Sequence, residues 1–242
     1  PVVLDEFIGR ALMFREGVLG TGAWGNSALK AYLETLCDDD DVRTHRIGGL
    51  ASEIRQRLIH DRADRTCFRA AQPAEVNDLF EVIEAYERCL DDLQVLDFAL
   101  LEQIFYQRLQ DGSLSRFTQP LHTVLVDEYQ DTNLLQESIY LALARAAAAN
   151  KGAITVVGDD DQSLYRFRGA TVDLFRDFAD RLKAATGITP VLIYLTTNYR
   201  STRRIVDYTM AYVRHDPAYA SARVAGKPPL VAGRAIAAVD FP

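Results

Sequence analysis

Cysteine is scarce: three in 242 residues, Cys37, Cys67 and Cys89, widely and unevenly spaced. With no CxxC pair and an odd count, they support neither a disulfide framework nor a zinc site, and they fit a reducing cytoplasm. Histidine is sparse too, and His45, His60, His122 and His215 fall in no ligand spacing such as HExxH. Basic charge is not in excess: 27 Lys and Arg stand against 34 Asp and Glu, a net charge of −7. A global footprint for polyanions is therefore missing, although an acidic chain can still carry a local basic groove. No apolar run approaches the ~20 residues of a membrane span, and no signal-peptide pattern opens the sequence. These absences set the expectation of a soluble, cytoplasmic protein with no membrane partner. The hydrophobic share of 48% is enough for one large domain or two small ones. Pro1 at the start, and "AIAAVDFP" halting after a strand-like run, set the expectation of a piece cut from a longer chain.

The first half reads as helix. From Val76, apolar residues recur at Leu79, Phe80, Ile83, Tyr86, Leu90 and Leu93, the spacing of one helical face. A second helix is predicted over Phe98, Leu101, Ile104, Phe105 and Leu109, ending near Gly112, and residues 43–69 read as helical with weaker periodicity. The second half alternates. Strand-like runs at His122–Val126, Ile154–Val157 and Val191–Leu195 are separated by helical stretches at about 133–149 and 171–184. Strand, helix, strand, helix, strand predicts right-handed crossovers and a parallel α/β sheet covered on both faces. Ligands of such sheets sit at the carboxyl ends of the strands. Two acidic clusters, Asp127-Glu128 and Asp159-Asp160-Asp161, are thereby expected on one sheet edge.

In "VLVDEYQDTN" (124–133), the adjacent Asp127 and Glu128 end a buried-looking strand. One carboxylate can hold Mg²⁺, which takes one or two carboxylates, waters and phosphate oxygens, while its neighbour orients a water. The bland alternative makes Asp131, Thr132 or Asn133 a helix cap and leaves the remaining acids solvated. Capping leaves Asp127 and Glu128 unexplained, because both lie too early. In "GDDDQSLYRFRGA" (158–170), Tyr165 and Phe167 interleave with Arg166 and Arg168, the composition of a surface that stacks bases and meets phosphates. Aromatics tucked into a core, with arginines paired to the aspartates, is the competing reading. Residues 43–69 carry Arg43, Arg46, Arg55, Arg57, Arg62, Arg65 and Arg69 against Glu53, Asp61 and Asp64. They read either as a solvated helix face or as a track for duplex phosphates.

Taken in order, "VLVDEYQDTN", "VVGDDDQSLYRFRGA" and "LTTNYRSTRRI" (195–205) resemble motifs II, III and IV of superfamily 1 DNA helicases of the UvrD/Rep/PcrA type. "LDFALL" (96–101) resembles the segment that precedes motif II there. The likeness runs from Leu96 to Tyr212, about half the chain, and three long motifs in order are far more specific than one short pattern. The resemblance implies an α/β fold: part of a RecA-like parallel sheet with flanking helices, plus a mainly helical N-terminal subdomain. It implies ATP and Mg²⁺ as cofactors, with Asp127 and Glu128 at the metal and Glu128 activating the attacking water. Gln162 would sense the γ-phosphate, Tyr199 would stack on the adenine, and Arg200 would reach the γ-phosphate from a second lobe. An arginine so placed is worth ~10³-fold or more in rate. Tyr165, Phe167 and Arg168 would touch single-stranded DNA. Phe167 stands where many relatives have Trp, and stacking of this kind contributes about 1–3 kcal/mol per base.

A motor of that family needs a phosphate-cradling GxxxxGK[ST] loop. "GTGAWGNS" (20–27) has the glycines and the final serine at the right spacing, but Asn26 replaces the lysine. The preceding "ALMFREGVL" is a poor buried strand, and chance in a glycine-rich loop is the favoured reading. The expected layout is a helical insertion over 1–110, part of the motor lobe with motifs II and III over 111–197, and the start of a second lobe over 198–242. The expected parent couples ATP hydrolysis to 3′ to 5′ movement on single-stranded DNA and at single/double-strand junctions. The chain itself is expected to be inactive as an ATPase for want of the phosphate loop. An alternative is an ATPase-inactive module that binds single strands or regulates. A Mg²⁺-dependent hydrolase of small phosphoesters leaves "YRFRGA" and "NYRS" unexplained.

Overall fold

The computed structural model describes residues 2–37, 44–162, 172–215 and 226–233. Strand β1 (Val2–Val3) leads into α1 (Glu6–Leu12), which runs on as a π-helical turn over Met13–Leu19 and a 3₁₀ turn at Ala23–Gly25. Then come α2 (Ser27–Cys37), α3 (Thr44–His60), α4 (Arg65–Ala70) and α5 (Ala74–Asp92). Strand β2 (Val95–Leu96) pairs in parallel with β1 and feeds α6 (Phe98–Gln110) and α7 (Ser115–Thr118). Helix α5 is the organiser of this half. Its stripe of Val76, Leu79, Phe80, Val82, Ile83, Tyr86 and Leu90 is buried. Met13, Val18, Leu29, Leu33 and Ile47 complete the same core. Each fully buried Leu or Ile of this kind stabilises the fold by about 1.5–3 kcal/mol. Leu93, expected on the same face, instead lies at the helix end and is exposed.

Five of the seven arginines of 43–69 are engaged within the chain, and Arg43 lies outside the described residues. Arg55 is buried, donating to Glu87 (2.9 Å) and Asp97 (2.6 Å) with its guanidinium over the Tyr86 ring. Arg57 pairs with Asp61, Arg65 with Glu87, and Arg69 with Asn77 and Glu84. Arg62 bonds Ser138 and lies over Tyr106. A buried guanidinium requires such partners, since a lone charge out of water costs several kcal/mol. These partners tie α3, α4 and the turn between them to α5, α6 and the helix that carries Ser138. The glycine-rich stretch is likewise structural. Asn26 accepts the Leu29 N–H (2.9 Å) at the start of α2 and donates to Asp78 (2.6 Å). Helix precedes it where a phosphate loop needs a strand.

Beyond α7, β3 (Thr123–Val126) is followed by α8 (Leu134–Ala149) and β4 (Ala153–Val156). Then come α9 (Val172–Arg176) and α10 (Phe178–Thr186). β3 and β4 pair in parallel, Val124 beside Ile154 and Val126 beside Val156. Alternation sends Val124 and Val126 into a second core with Tyr129, Ala144, Ala147, Phe178 and Leu182. Two expectations fail here. Val191–Leu195 forms no strand among the described residues, and Val191, Leu192, Ile193 and Leu195 are exposed by 68% to 85%. A parallel strand needs a neighbour with a free ladder, and no described strand pairs with this run. Among the described residues the sheet is also not covered on both faces, because Leu125, opposite Val124 and Val126 in the pleat, is 76% exposed.

A third unit holds β5 (Thr197–Asn198), α11 (Arg203–Val213) and β6 (Val231–Ala232), with β5 and β6 parallel. Two-residue strands carry too little periodicity to be read from sequence. Among the described residues no helix is long and apolar enough to cross a membrane.

Candidate functional site

The parallel register places Asp127-Glu128 and Gly158–Gln162 side by side beyond the carboxyl ends of β3 and β4. The chain turns sharply there. Glu128 adopts φ +50° and ψ 44°, a left-handed conformation that costs a non-glycine residue about 1–2 kcal/mol. The turn is locked from both sides. The Glu128 N–H donates to Asp127 Oδ1 (2.9 Å) and the Tyr129 N–H donates to the Val157 carbonyl (2.9 Å). Both carboxylates are left exposed.

Tyr129 anchors the turn. It is fully buried, its ring edge-on to Phe178 at 4.8 Å, and its hydroxyl donates to Glu137 Oε1 (2.6 Å). The same carboxylate accepts from Arg181 (2.8 Å), so α8, α10 and the strand-end turn share one buried polar node. Burial, then the hydrogen bond and charge of Glu137, push the Tyr129 phenol well above the usual range. It is a fixed donor and takes no part in proton transfer at neutral pH. Asn133 caps α8. It accepts the Gln136 N–H (2.9 Å) while Gln136 Oε1 accepts the Asn133 N–H (3.2 Å), a reciprocal capping box. Of the three residues named as possible caps, Asn133 serves.

Gln130 is a residue that sequence reasoning missed. It is 2% exposed; its amide donates to Glu128 Oε2 (2.7 Å) and its carbonyl accepts the Asp159 N–H (2.9 Å). One buried amide thus spans the two strand-end loops. Its position two residues past Glu128 was the available signal, because a polar side chain beside a fully buried Tyr must find partners. Gly158 makes room for it. A Cβ there would lie 2.6 Å from Gln130 Oε1 and 2.7 Å from the Phe175 ring.

Asp159 accepts a hydrogen bond from the Gln162 side chain (2.8 Å), so Gln162 sits exposed at the same edge. Asp159, Asp160 and Asp161 bring carboxylate oxygens within 4.8 Å of one another. Lys227 reaches them from the unit of β6, bonding Asp159 (2.5 Å), Asp160 and Asp161 (3.0 Å). Sequence reading gave Lys227 no role. It lies 66 residues or more from its partners, with no pattern linking the two.

Tyr199 and Arg200 lie in the third unit. Asn198 Oδ1 accepts both the Arg200 N–H (3.0 Å) and the Ser201 N–H (2.8 Å), which fixes the turn between β5 and α11. Tyr199 is 76% exposed, one edge of its ring close to Gly233, where a Cβ would stand 3.0 Å from it. Tyr165, Phe167 and Arg168 lie outside the described residues. Asp127 and Glu128, hard oxygen donors open to solvent at a strand end, suit Mg²⁺. Gly20–Ser27 does not suit a nucleotide's phosphates, since Asn26 is committed to its helix cap and to Asp78.

A sequence profile described as "UvrD/REP helicase N-terminal domain" matches residues 27–183. The chain is similar to an ATP-dependent DNA helicase PcrA of Leuconostoc citreum, 31% identical over 198 residues, 78% of this chain and 25% of that protein. A probable DNA helicase II homolog of Mycoplasma capricolum is 35% identical over 126 residues, 52% of this chain and 15% of that protein. A DNA helicase II of Haemophilus influenzae is 35% identical over 129 residues, 52% of this chain and 16% of its own length. The chain matches a quarter or less of the length of each of these relatives.

Proposed function

The chain belongs to the UvrD/REP helicase N-terminal domain family, and from that premise we propose that it carries the strand-end half of an ATP-driven DNA motor site. The observation that carries the reading is the meeting of Asp127-Glu128 with Gly158–Gln162 at one edge of the β3–β4 pair. Asp127 and Glu128 would hold Mg²⁺, Glu128 would also orient the attacking water, and Gln162 would sense the terminal phosphate. ATP and Mg²⁺, when bound, supply the phosphoryl group and the charge that its transfer spreads over oxygen. Tyr199 offers an exposed ring to a base and Arg200 a guanidinium to phosphate. Tyr165, Phe167 and Arg168 contact single-stranded DNA. The layout is a helical insertion over 1–110, a motor-lobe part over 111–197 and the start of a second lobe over 198–242. The setting is the cytoplasm, in keeping with scarce cysteines. In a protein that adds a phosphate loop and a full second lobe, the same residues serve 3′ to 5′ translocation on single strands and at junctions.

Because Asn26 and its neighbours build a helix cap, the chain alone binds single-stranded DNA without turning over ATP. The test is ATP hydrolysis with Mg²⁺, with and without a fluorescent oligonucleotide, together with the salt dependence of DNA binding. Salt-sensitive binding and no turnover is the expected result. Turnover that Glu128→Gln abolishes overturns the inactive-chain part of the reading. Loss of DNA binding at all salt concentrations overturns the rest. The helix cap at Asn26 also favours a second reading, a single-strand-binding or regulatory module. Its signature is DNA affinity indifferent to Mg·ATP.

A further inference from the structure

Asp159, Asp160 and Asp161 bring carboxylate oxygens within 4.8 Å of one another, which favours a cation beside them. Lys227 is a cation placed there, and its three N–H donors have three takers: Asp159 Oδ1 (2.5 Å), Asp160 Oδ1 and Asp161 Oδ2 (3.0 Å). Its side chain is only 15% exposed. An ordinary surface ion pair is worth ~0–1 kcal/mol and positions nothing. This one differs in what lies behind it. The second oxygen of Asp159 accepts from the Gln162 amide (2.8 Å), and the Asp159 N–H donates to Gln130, whose amide donates to Glu128 (2.7 Å). Asp159 is therefore a junction: ammonium on one oxygen, Gln162 on the other, and the Glu128 link through its backbone.

We infer that Lys227 is a positioning residue, fixing Gln162 directly through Asp159 and Glu128 through Asp159 and Gln130. The seating of the β5–β6 unit thereby sets the geometry of the strand-end site. The inference rests on the roles proposed above for Glu128 and Gln162. Moving β6 away withdraws the ammonium from Asp159 and releases the loop that carries Gln162. The charge states agree with the geometry. Burial pushes the Lys227 ammonium down, but its bonds to Asp159, Asp160 and Asp161 outweigh burial and hold it above the usual lysine range. Burial likewise pushes Asp159 up, and the bonds from Lys227 and Gln162 outweigh it and keep the carboxyl below its ordinary value.

The test is amide hydrogen exchange, read by NMR on the full chain without nucleotide or DNA, comparing wild type, Lys227→Met and Lys227→Arg. In Lys227→Met, the Asp159 and Gln162 amides are expected to exchange at least about tenfold faster while the α5 amides hold their rates. Lys227→Arg, which keeps the charge and the donors, is expected to return them toward wild type. Unchanged exchange at Asp159 and Gln162 in Lys227→Met overturns the inference. So does equal acceleration in α5, which marks loss of general stability. If the Met variant does not fold, Lys227→Gln, which keeps an N–H donor and drops the charge, is judged by the same two criteria. With no ligand present, failure here removes the role of Lys227 alone. The reading of the site is decided separately, by the ATP and DNA experiment.

Discussion

Gly158 is a glycine because of what stands against it, not because of its backbone angles. The side chain of Gln130, the edge of Phe175 and the Tyr129 backbone leave no volume for a methyl group. Gly158→Ala is expected to destabilise the chain by about 1–3 kcal/mol, the usual cost of overpacking a filled site. Equilibrium urea denaturation measures it. Substitution at Gly112, where no atom lies within 4 Å of the missing Cβ and the cost comes from φ +77° alone, provides a control of different origin. At this scale the sequence was legible wherever chemistry shows in residue type. The acids at 127, 128 and 159–161 stood out because charges beside apolar runs demand a reason. Gln130 and Lys227 did not, since a glutamine or a lysine looks alike whether it points to water or bridges two loops.

Helices announced themselves through long patterns, and their ends through caps. The Asn133–Gln136 capping box satisfies donors at the α8 N-terminus in the same turn that follows Glu128. Asn133→Ala is expected to cost about 1 kcal/mol, within the 0.5–2 kcal/mol range of lost caps. It should also raise hydrogen exchange in the first turn of α8 more than in its middle, a contrast that NMR resolves. The stretch read as helical over 43–69 holds two helices, α3 and α4. Arg62 at φ +52° breaks the run, and Asp64 caps the second piece by accepting the Cys67 N–H. The stretch near 171–184 also holds two helices, α9 and α10, parted at Asp177. Strands were read where four residues alternate, at β3 and β4. The apolar run Val191–Leu195 carried the same signal, yet a ladder needs a partner, which no single segment contains.

At the scale of the whole molecule, His60 contributes to the pH dependence of stability on the acid side. Burial pushes the His60 imidazole below its ordinary value of 6.5, against the opposing pull of Glu102 and Asp61. The unfolded chain therefore takes up this proton first. Stability falls as pH drops below about 6.5 and levels off once the folded-state value is passed. Thermal melts across pH 7 to 5 should show that slope, and His60→Gln should make it shallower. Asp159 acts in a lower window. Its depressed pKa contributes stability that is present above the ordinary 3.8 and lost as pH falls through the folded-state value. The bare face of the β3–β4 pair has a consequence of another kind. Leu125 stands in water there, and Val191–Leu195 adds a run of uncovered apolar side chains. An open ladder beside exposed aliphatic surface is a template for another chain. The shelf life of a concentrated sample is therefore expected to shorten as concentration rises, which light scattering over a dilution series measures.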